Sequence, residues 1–269
     1  MVATPIGNLR DLSFRALDIL NEVDLILCED TRKSRILFNE FNIMTKYDSL
    51  HEFTSFKNIE KYVSFLEEGN SIALISDAGT PLISDPGFEI VKIAKEKNIF
   101  VNPLPGPSSV ISALVGSGLK IDKFIFEGFP PRKKQELENY LKCYLYEERT
   151  VVLFESPRRI KKLVQSVIEI LGKDRNVTLA KEISKPHQKF ISGSSQSLLN
   201  QIKKDNNLEK GEMVFLIEGT KEKSSIEDAE VEILVESLKD HLPLRKISKI
   251  ISKISKQTSK EIYDTFKKK

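Results

Sequence analysis

The sequence has no tryptophan, only two cysteines and three histidines, and no long hydrophobic run. No apolar stretch approaches the ~20 residues that a membrane helix requires, and the first residues lack the basic and apolar regions of a signal peptide. Cys28 and Cys143 have no paired spacing, which favours free thiols in a reducing cytoplasm over a disulfide. His51, His187 and His241 are too scattered to suggest a metal site. We therefore expect a cytoplasmic protein without a membrane anchor or a metal centre.

Two nucleotide-binding motifs are also missing, because the sequence contains neither GxGxxG nor GxxxxGK[ST]. A dehydrogenase or a nucleotide hydrolase is therefore disfavoured. The composition, 40% hydrophobic and 30% charged residues, is that of an ordinary globular protein. A chain of 269 residues can form one large domain or two of ordinary size.

Positive charge is concentrated at the end of the chain. Residues 239–269 contain ten Lys and Arg against three Asp and Glu, a net charge of +7, whereas residues 221–238 carry −4 and the first 220 residues are neutral. A basic segment of this kind can bind a polyanion such as RNA. It can also be a lysine-rich tail that only increases solubility, so the charge alone favours RNA modestly.

Short apolar runs alternate with helical periods, which predicts an α/β protein with mainly parallel strands. The predicted strands cover residues 25–27, 72–75, 99–101, 125–126, 151–154, 177–179, 189–191 and 213–217. The pattern divides the chain into an N-terminal α/β domain (1–120), a second α/β domain (121–220) and a basic helical tail (230–269), after a polar linker at 221–229. The charged segment 135–146 is predicted as a helix, and Thr258 with Glu261 has the form of a capping box.

The segment SDAGTPLISDPG, residues 76–87, follows a predicted buried strand and is the most informative part of the sequence. Its two glycines and two prolines prevent strand or helix from continuing. It should expose backbone groups at the carboxyl edge of a sheet, where open α/β folds bind ligands. Its single acids suit a ligand with hydroxyls, an amine or a cation. A tight turn into the next helix explains these twelve residues equally well.

Further segments decide between these readings. In order along the chain they are VATPIGNLRDLS (2–13), CEDTR (28–32), LPGPSS (104–109), FEGFPPRK (126–133), FESPRR (154–159) and LAKEISKPH (179–187). Together with SDAGTP they resemble the family that methylates the ribose 2′-hydroxyl of a cytidine in small-subunit ribosomal RNA. This family belongs to the tetrapyrrole methylase superfamily. The resemblance implies two α/β domains of the tetrapyrrole methylase type with a small helical tail, which resembles a helix-turn-helix.

The resemblance also implies S-adenosylmethionine as the cofactor. The residues that match its binding positions are Pro5, Asp77, Ala78, Gly79, Thr80, Ile83, Ser108, Ser109, Phe154, Glu155 and Ala180. Gly79 would permit close approach of the backbone, and Ser108 and Ser109 begin a predicted helix with free N–H groups. Without the resemblance, Phe154 and Ala180 would be interpreted as core residues.

A ribose 2′-hydroxyl is a poor nucleophile at neutral pH, so a base or a desolvated, oriented approach has to assist it. Asp30, next to Glu29 at a strand end, is one candidate, and Lys181 with Glu182 is another. A surface ion pair is the alternative role for each of these residues.

Basic residues in the same motifs are candidates for binding RNA phosphates. They are Arg32, Arg158, Arg159 and Lys185, to which the tail adds Lys246, Lys249 and Lys253. The chain departs from the family at Arg158, where His is common, and at Gln188, where Glu is common. Only Met1, Val2 and Ala3 are available for the first strand, so either the sequence starts late or this strand is very short.

The expected partners are small-subunit ribosomal RNA or the assembled 30S subunit, and the family suggests a homodimer. Two alternatives remain open. One is a methylase of a tetrapyrrole or another small molecule within the same superfamily. The other is an RNA-binding protein without catalytic activity, which would leave the glycine- and proline-rich loops without a purpose.

Overall fold

The computed structural model describes residues 1–220, 228–255 and 257–267. The chain forms two compact units, one of Met1–Lys142 with Arg149–Glu218 and the other of Cys143–Glu148 with Gly219–Lys269. Both β-sheets belong to the first unit. None of the helices in the described ranges has the length and apolar character needed to span a bilayer.

The first sheet is parallel and has the strand order β2-β1-β3. Its strands are β1 (Leu25–Cys28), β2 (Tyr47–Ser49) and β3 (Ile72–Leu74), and its helices are α1 (Phe14–Glu22), α2 (Thr31–Glu40), α3 (Phe56–Glu67) and α4 (Phe88–Glu96). Ser13 and Ser55 accept hydrogen bonds from the first turns of α1 and α3, which fixes where these helices begin. The strands predicted at 25–27 and 72–75 are confirmed.

The first residues of the chain extend this sheet by a very short pairing. The N–H of Val2 donates to Leu74 O at 2.9 Å, and Val2 also pairs with Leu104. The strand predicted at 99–101 is wrong. Ile99 N–H instead donates to Ala94 O and closes the end of α4, and Phe100 is 86% exposed. Sheet pairing on this segment therefore occurs only at Leu104.

The second sheet is mixed, with the order β4-β5-β8-β6-β7. Its strands are β4 (Phe124–Gly128), β5 (Thr150–Glu155), β6 (Asn176–Lys181), β7 (Lys189–Ser194) and β8 (Met213–Ile217), and its helices are α5 (Ser109–Ser117), α6 (Lys134–Lys142), α7 (Pro157–Leu171) and α8 (Ser195–Lys204). Only β4 and β5 pair in parallel. The expectation of mainly parallel strands is therefore correct for the first sheet and wrong for the second. The helix predicted at 135–146 ends at Lys142.

Loops belonging to the two sheets meet within the first unit. A Cβ atom on Gly7 would lie 2.5 Å from Lys185 Cγ and 2.9 Å from Ile183 O, so only glycine fits there without a shift. The Ser184 hydroxyl donates a hydrogen bond to Asp11. The domain boundary near residue 120 stays a prediction.

The second unit contains α9 (Asp228–Leu238), α10 (Leu244–Ile251) and α11 (Ser259–Lys267). Its core consists of the buried side chains of Val231, Val235, Ile247, Ile251 and Ile262. The predicted capping box is confirmed, because the Glu261 carboxylate accepts from Thr258 N–H and Glu261 N–H donates to Thr258 Oγ1. Of the predicted linker, residues 221–227 lie outside the described residues.

Candidate active site

A cavity of about 440 Å³ lies in the first unit where loops from both sheets converge. We call it the first cavity. Its lining residues are Ile6, Glu29, Lys33, Asp77, Ala78, Gly79, Thr80, Ile83, Ser84, Asp85, Ser108, Ser109, Val110, Phe129, Phe154, Glu155, Ser156, Pro157, Ala180, Ile183, Gly211, Glu212, Met213 and Val214. All the predicted cofactor residues except Pro5 line it.

One wall of the first cavity is the loop that follows β3. Gly79 pairs with Thr4 through two backbone hydrogen bonds of 2.9 Å each, and the Thr80 hydroxyl donates to Pro107 O at 3.1 Å. Gly79 has φ +84°, a conformation that glycine adopts without strain. These bonds hold the SDAGTP loop against the opening segment and the LPGPSS segment.

A second wall is the beginning of α5. Ser108 caps this helix, since its hydroxyl accepts from Ile111 N–H at 3.4 Å. Ser108, Ser109 and Val110 all line the cavity. The first N–H groups of a helix have no intrahelical acceptor, and they carry partial positive charge. This end of the cavity is therefore suited to a carboxylate or another acceptor.

The second sheet supplies the third wall. The Phe154 ring contacts the rings of Phe126 and Phe129, with centroids 4.9 and 5.5 Å apart. Glu155 is 3% exposed, and its Oε1 accepts from Ser156 N–H at 2.7 Å. Its Oε2 lacks a hydrogen bond among the described residues, although Arg159 Nη2 lies 3.3 Å away. Burial raises the pKa of Glu155, and the bond from Ser156 N–H opposes this change.

Three carboxyl groups line the first cavity at the ends of β1 and β3. Burial raises the pKa of Asp85 to about 6, and the charges of Glu29 and Asp77 add to this effect. Burial, followed by the charge of Asp77, also raises the pKa of Glu29. Asp77 itself accepts from Lys33 Nζ at 2.6 Å and from Asp30 N–H at 3.1 Å.

A second cavity, of about 730 Å³, shares these three carboxyl groups with the first. Its lining residues are Glu29, Asp30, Thr31, Arg32, Lys33, Ser49, His51, Glu52, Phe53, Asp77, Ser84, Asp85 and Pro86. Both volumes fall in the range of roughly 300–1,000 Å³ that is usual for small-molecule sites. The carboxyl groups of Glu29, Asp77 and Asp85 thus lie on a wall common to the two cavities.

The predicted base Asp30 lines the second cavity but not the first. Its carboxylate accepts from Arg32 Nε at 3.0 Å and from Arg32 Nη2 at 2.7 Å. These side-chain hydrogen bonds, with one from Arg32 N–H, hold the pKa of Asp30 well below its usual range. A carboxylate of such low basicity accepts a proton poorly.

The other predicted catalytic pair, Lys181 and Glu182, lines neither cavity. Glu182 joins the ends of β6 and β8, because its Oε1 accepts from Glu212 N–H at 2.7 Å. Burial favours its neutral form, but this bond and the ion pair with Lys185 outweigh burial and lower the pKa of Glu182. Lys181 is 7% exposed. Glu182 thus connects the ends of two strands, and the catalytic role of both residues stays a prediction.

The predicted RNA-binding residues occupy different environments. Arg32, Arg158, Lys246, Lys249 and Lys253 are exposed. Arg159 donates to Pro130 O and Pro131 O at 3.1 and 2.8 Å, so it holds the FPPRK loop. Lys185 lies 2.9 Å from Glu212 and 3.2 Å from Glu182. For Arg159 and Lys185 much of the donor capacity is therefore used within the protein.

Several lining residues were not predicted as site residues. Asp85 and Ser84 belong to the SDAGTPLISDPG motif, so their position in the motif was a usable signal. Lys33 directly follows CEDTR, and Ser156 and Pro157 belong to FESPRR. Gly211, Met213 and Val214 come from a segment without polar motif residues, and their place in the cavity depends on the antiparallel position of β8. Across the residues that the structure describes, no group of three or more His, Cys, Asp or Glu could hold a metal ion.

Comparison with known proteins identifies the family to which these loops belong. The model of the family described as Tetrapyrrole (Corrin/Porphyrin) Methylases matches residues 1–199. The chain is 39% identical to "Ribosomal RNA small subunit methyltransferase I" of Escherichia coli O157:H7, over 94% of this chain and 89% of that protein. It is 40% identical to the protein of the same name from Vibrio cholerae, over 98% and 92%.

A third relative of this name, from Thermotoga maritima, is 42% identical over 219 residues, which are 81% of this chain and 97% of that protein. That relative is therefore considerably shorter than this chain. Among solved structures, diphthine synthase aligns with a TM-score of 0.62 at 16% identity, over 87% of this chain and 93% of that one. A cobalt precorrin-4 methyltransferase aligns with a TM-score of 0.57 at 17% identity, over 81% and 92%. These structures confirm the fold.

Proposed function

We propose that the protein methylates a ribose 2′-hydroxyl in small-subunit ribosomal RNA. The chain belongs to the tetrapyrrole methylase family and, within it, to the ribosomal RNA small subunit methyltransferase I family. It is an S-adenosylmethionine-dependent methyltransferase. The observation that carries the proposal is the convergence of SDAGTP, LPGPSS and FESPRR on one cavity, in a chain about 40% identical to these relatives.

The first cavity fits S-adenosylmethionine by the chemistry of its lining. Carboxylates of Asp77 and Glu155 can accept hydrogen bonds from hydroxyl or amino groups, and the start of α5 can donate to a carboxylate. Ala78, Ile83, Phe154, Ala180 and Val214 offer apolar surface for the remainder. The Oε2 of Glu155, buried without a hydrogen bond from the described residues, is an acceptor that a ligand can satisfy. When bound, the cofactor supplies an activated methyl group, so the protein has to bind, orient and exclude water.

Asp85 is the proton acceptor that we assign to the 2′-hydroxyl. A catalytic base works best with a pKa near the working pH, and burial raises the pKa of Asp85 to about 6. Asp85 also lies on the wall between the two cavities, where an acceptor hydroxyl and a methyl donor can approach each other. Glu29 shares both properties and is the second choice. The low pKa and the position of Asp30 give that residue less support.

RNA rather than a small tetrapyrrole is the proposed substrate class. The relatives of about 40% identity carry the name of an RNA methyltransferase, whereas the corrin-modifying neighbour is only 17% identical. The exposed lysines of α10 and its C-terminal end, Lys246, Lys249 and Lys253, add a basic surface that suits a polyanion.

The location and assembly of the protein follow the same reasoning. We expect it to act in the cytoplasm on the ribosomal RNA or on the assembled 30S subunit. We also expect a homodimer, on the basis of the family. Light scattering during gel filtration distinguishes a dimer from a monomer.

Calorimetric titration with S-adenosylmethionine, followed by transfer of a labelled methyl group, tests the proposed function. We expect binding at one site per chain, and transfer to small-subunit ribosomal RNA or to 30S subunits that lack the modification. Binding of the cofactor with transfer only to a tetrapyrrole would favour the small-molecule alternative. Absence of cofactor binding would favour the non-catalytic one.

A further inference from the structure

We propose that the second cavity holds the acceptor nucleotide of the RNA, with the base against Phe53 and the ribose towards Asp85. This inference rests on the proposed function and assigns a place to its substrate. The second cavity opens at the carboxyl ends of β1 and β2 and shares Glu29, Lys33, Asp77, Ser84 and Asp85 with the first. A group bound in the second cavity therefore meets the first cavity at this common wall.

An aromatic side chain, Phe53, lines the second cavity but not the first. Phe53 is 82% exposed, and the centroid of its ring is 6.3 Å from that of His51. A reciprocal turn holds the segment, because His51 N–H donates to Thr54 Oγ1 and Thr54 N–H donates to His51 O, both at 2.9 Å. Proteins that read unpaired RNA commonly stack single bases on exposed aromatic side chains of this kind.

The charges of the second cavity decide which part of a nucleotide can enter. Five acidic residues line it, namely Glu29, Asp30, Glu52, Asp77 and Asp85, against the cations Arg32 and Lys33. A phosphate in the centre would be repelled. Hydroxyl and amino groups, in contrast, can donate hydrogen bonds to carboxylates. The N4 amino group of cytosine is such a donor, whereas uracil has an acceptor at the same ring position. The cavity thus suits the hydroxyl and amino groups of a nucleoside better than its phosphate.

The phosphates then have to lie at the rim, where Arg32 is placed. Its side chain is 88% exposed, and Nε and Nη2 donate to Asp30, which leaves further donors of the guanidinium for a phosphate. Base, ribose and phosphate are therefore each matched by a different part of the cavity. An unstacked nucleotide from a loop or single strand meets these requirements, whereas a paired base in a duplex does not.

The variant Phe53→Ala tests this placement in the full-length protein, with Phe100→Ala as the matched control. Both rings are more than 80% exposed, and Phe100 lines neither cavity. Loss of one stacked base should raise KM for small-subunit RNA by about 5-fold or more in Phe53→Ala. The affinity for S-adenosylmethionine, measured by calorimetry, should stay that of the parent in both variants and also reports on folding.

Crosslinking gives a readout that is independent of turnover. Small-subunit RNA transcribed with 5-iodocytidine is irradiated with the parent protein, and the crosslinked peptide is identified by mass spectrometry. We expect a crosslink at Phe53 or His51. An excess of RNA without 5-iodocytidine should compete for the site and reduce this crosslink. Crosslinks that map elsewhere, with KM for Phe53→Ala equal to that of Phe100→Ala, would overturn the placement. If the parent transfers no methyl group to RNA, the proposed function itself fails, whatever these variants do.

Discussion

The two cavities share one wall but differ in the rest of their lining. The first is bounded by backbone loops, a helix N-terminus and apolar side chains from both sheets, including Ile83, Phe154, Ala180 and Val214. In the second, Phe53 and Pro86 are accompanied by charged and polar residues. A cavity with much apolar lining and some fixed polar groups suits one small cofactor, whereas a more polar one suits part of a larger polar substrate. We therefore expect donor and acceptor to meet at the shared carboxyl groups.

Filling the first cavity should produce the largest effect. Ala78 lines it, and its side chain is in an exposed position, so Ala78→Trp adds bulk without disturbing the core. We expect binding of S-adenosylmethionine to fall by more than about 100-fold, which is more than 2.7 kcal/mol. Calorimetry measures the affinity. Val115→Trp, at a position 72% exposed and outside both cavities, is the control and should bind as the parent does. Parental affinity in Ala78→Trp would mean that the cofactor binds elsewhere.

Changing the shared wall should affect turnover more than binding. Loss of a general base typically costs 10²–10⁴ in rate, so we expect Asp85→Asn to lower kcat by about that factor. In the parent, the rate should rise with pH to an inflection near 6 and then level off, because the carboxyl must be ionised to accept a proton. This inflection should disappear in Asp85→Asn and persist in Asp18→Asn, which changes an exposed carboxyl. An unchanged pH profile in Asp85→Asn would remove Asp85 from the role of base.

The raised pKa of Asp85 also predicts how the stability of the protein depends on pH. Because the folded state raises the pKa of Asp85, the stability that its protonated form contributes is present below about pH 4 and is lost as the pH rises through 6. Asp85→Asn keeps the neutral form at every pH. Its free energy of unfolding, measured by urea denaturation, should equal that of the parent near pH 4 and exceed it at pH 7. A deficit of stability at pH 7 would contradict the assigned shift.

Removing the basic charge of the second unit should weaken RNA binding moderately and leave cofactor binding unchanged. The triple variant Lys246→Gln, Lys249→Gln, Lys253→Gln changes exposed side chains and leaves the core of α9, α10 and α11 in place. If each lysine neutralises one phosphate, the slope of log affinity against log salt should fall by about 2–3. Filter binding over a range of salt concentrations measures it. The control is a second triple variant, in which three exposed lysines of the first unit, Lys57, Lys92 and Lys142, are changed to Gln.

An unchanged salt slope in the triple variant of residues 246, 249 and 253 would make the basic segment a solubilising one. The affinity for S-adenosylmethionine should be the same in both triple variants.

The smallest effect is expected at the capping box of α11. Thr258→Ala removes the hydroxyl that accepts from Glu261 N–H at 3.2 Å. Such a loss typically costs about 1 kcal/mol. Hydrogen exchange should show faster exchange of the α11 amides, with the first unit unchanged. Ser237→Ala, on α9, serves as the control, and equal exchange in both variants would show that the box does not stabilise the helix.

The loops of the first cavity could be predicted from the sequence because glycine and proline restrict the backbone locally. SDAGTP and LPGPSS each carry such residues at a strand end or before a helix. The strand pairing of the second half could not be predicted, because apolar runs such as 213–217 look alike in parallel and antiparallel sheets. Asp85 was visible in the motif, yet its pKa depends on burial and on Glu29 and Asp77, which folding brings close to it.

Two of the predicted RNA-binding residues already have partners within the protein, and their role towards RNA stays a prediction. Arg159 and Lys185 look like phosphate ligands in sequence, whereas in the fold they bind Pro130, Pro131 and acidic side chains. A basic residue in a motif can stabilise the loop that contains the motif. Sequence alone does not reveal how many of its donors the protein already uses.

The most direct test of the central claim is analysis of the modified nucleoside. Small-subunit RNA is incubated with the parent protein and labelled S-adenosylmethionine, digested to nucleosides and separated by chromatography with mass detection. We expect label in a 2′-O-methylated cytidine, which Ala78→Trp abolishes and Val115→Trp retains. Label found only on the ring of a base would contradict the assignment of the ribose hydroxyl as the methyl acceptor.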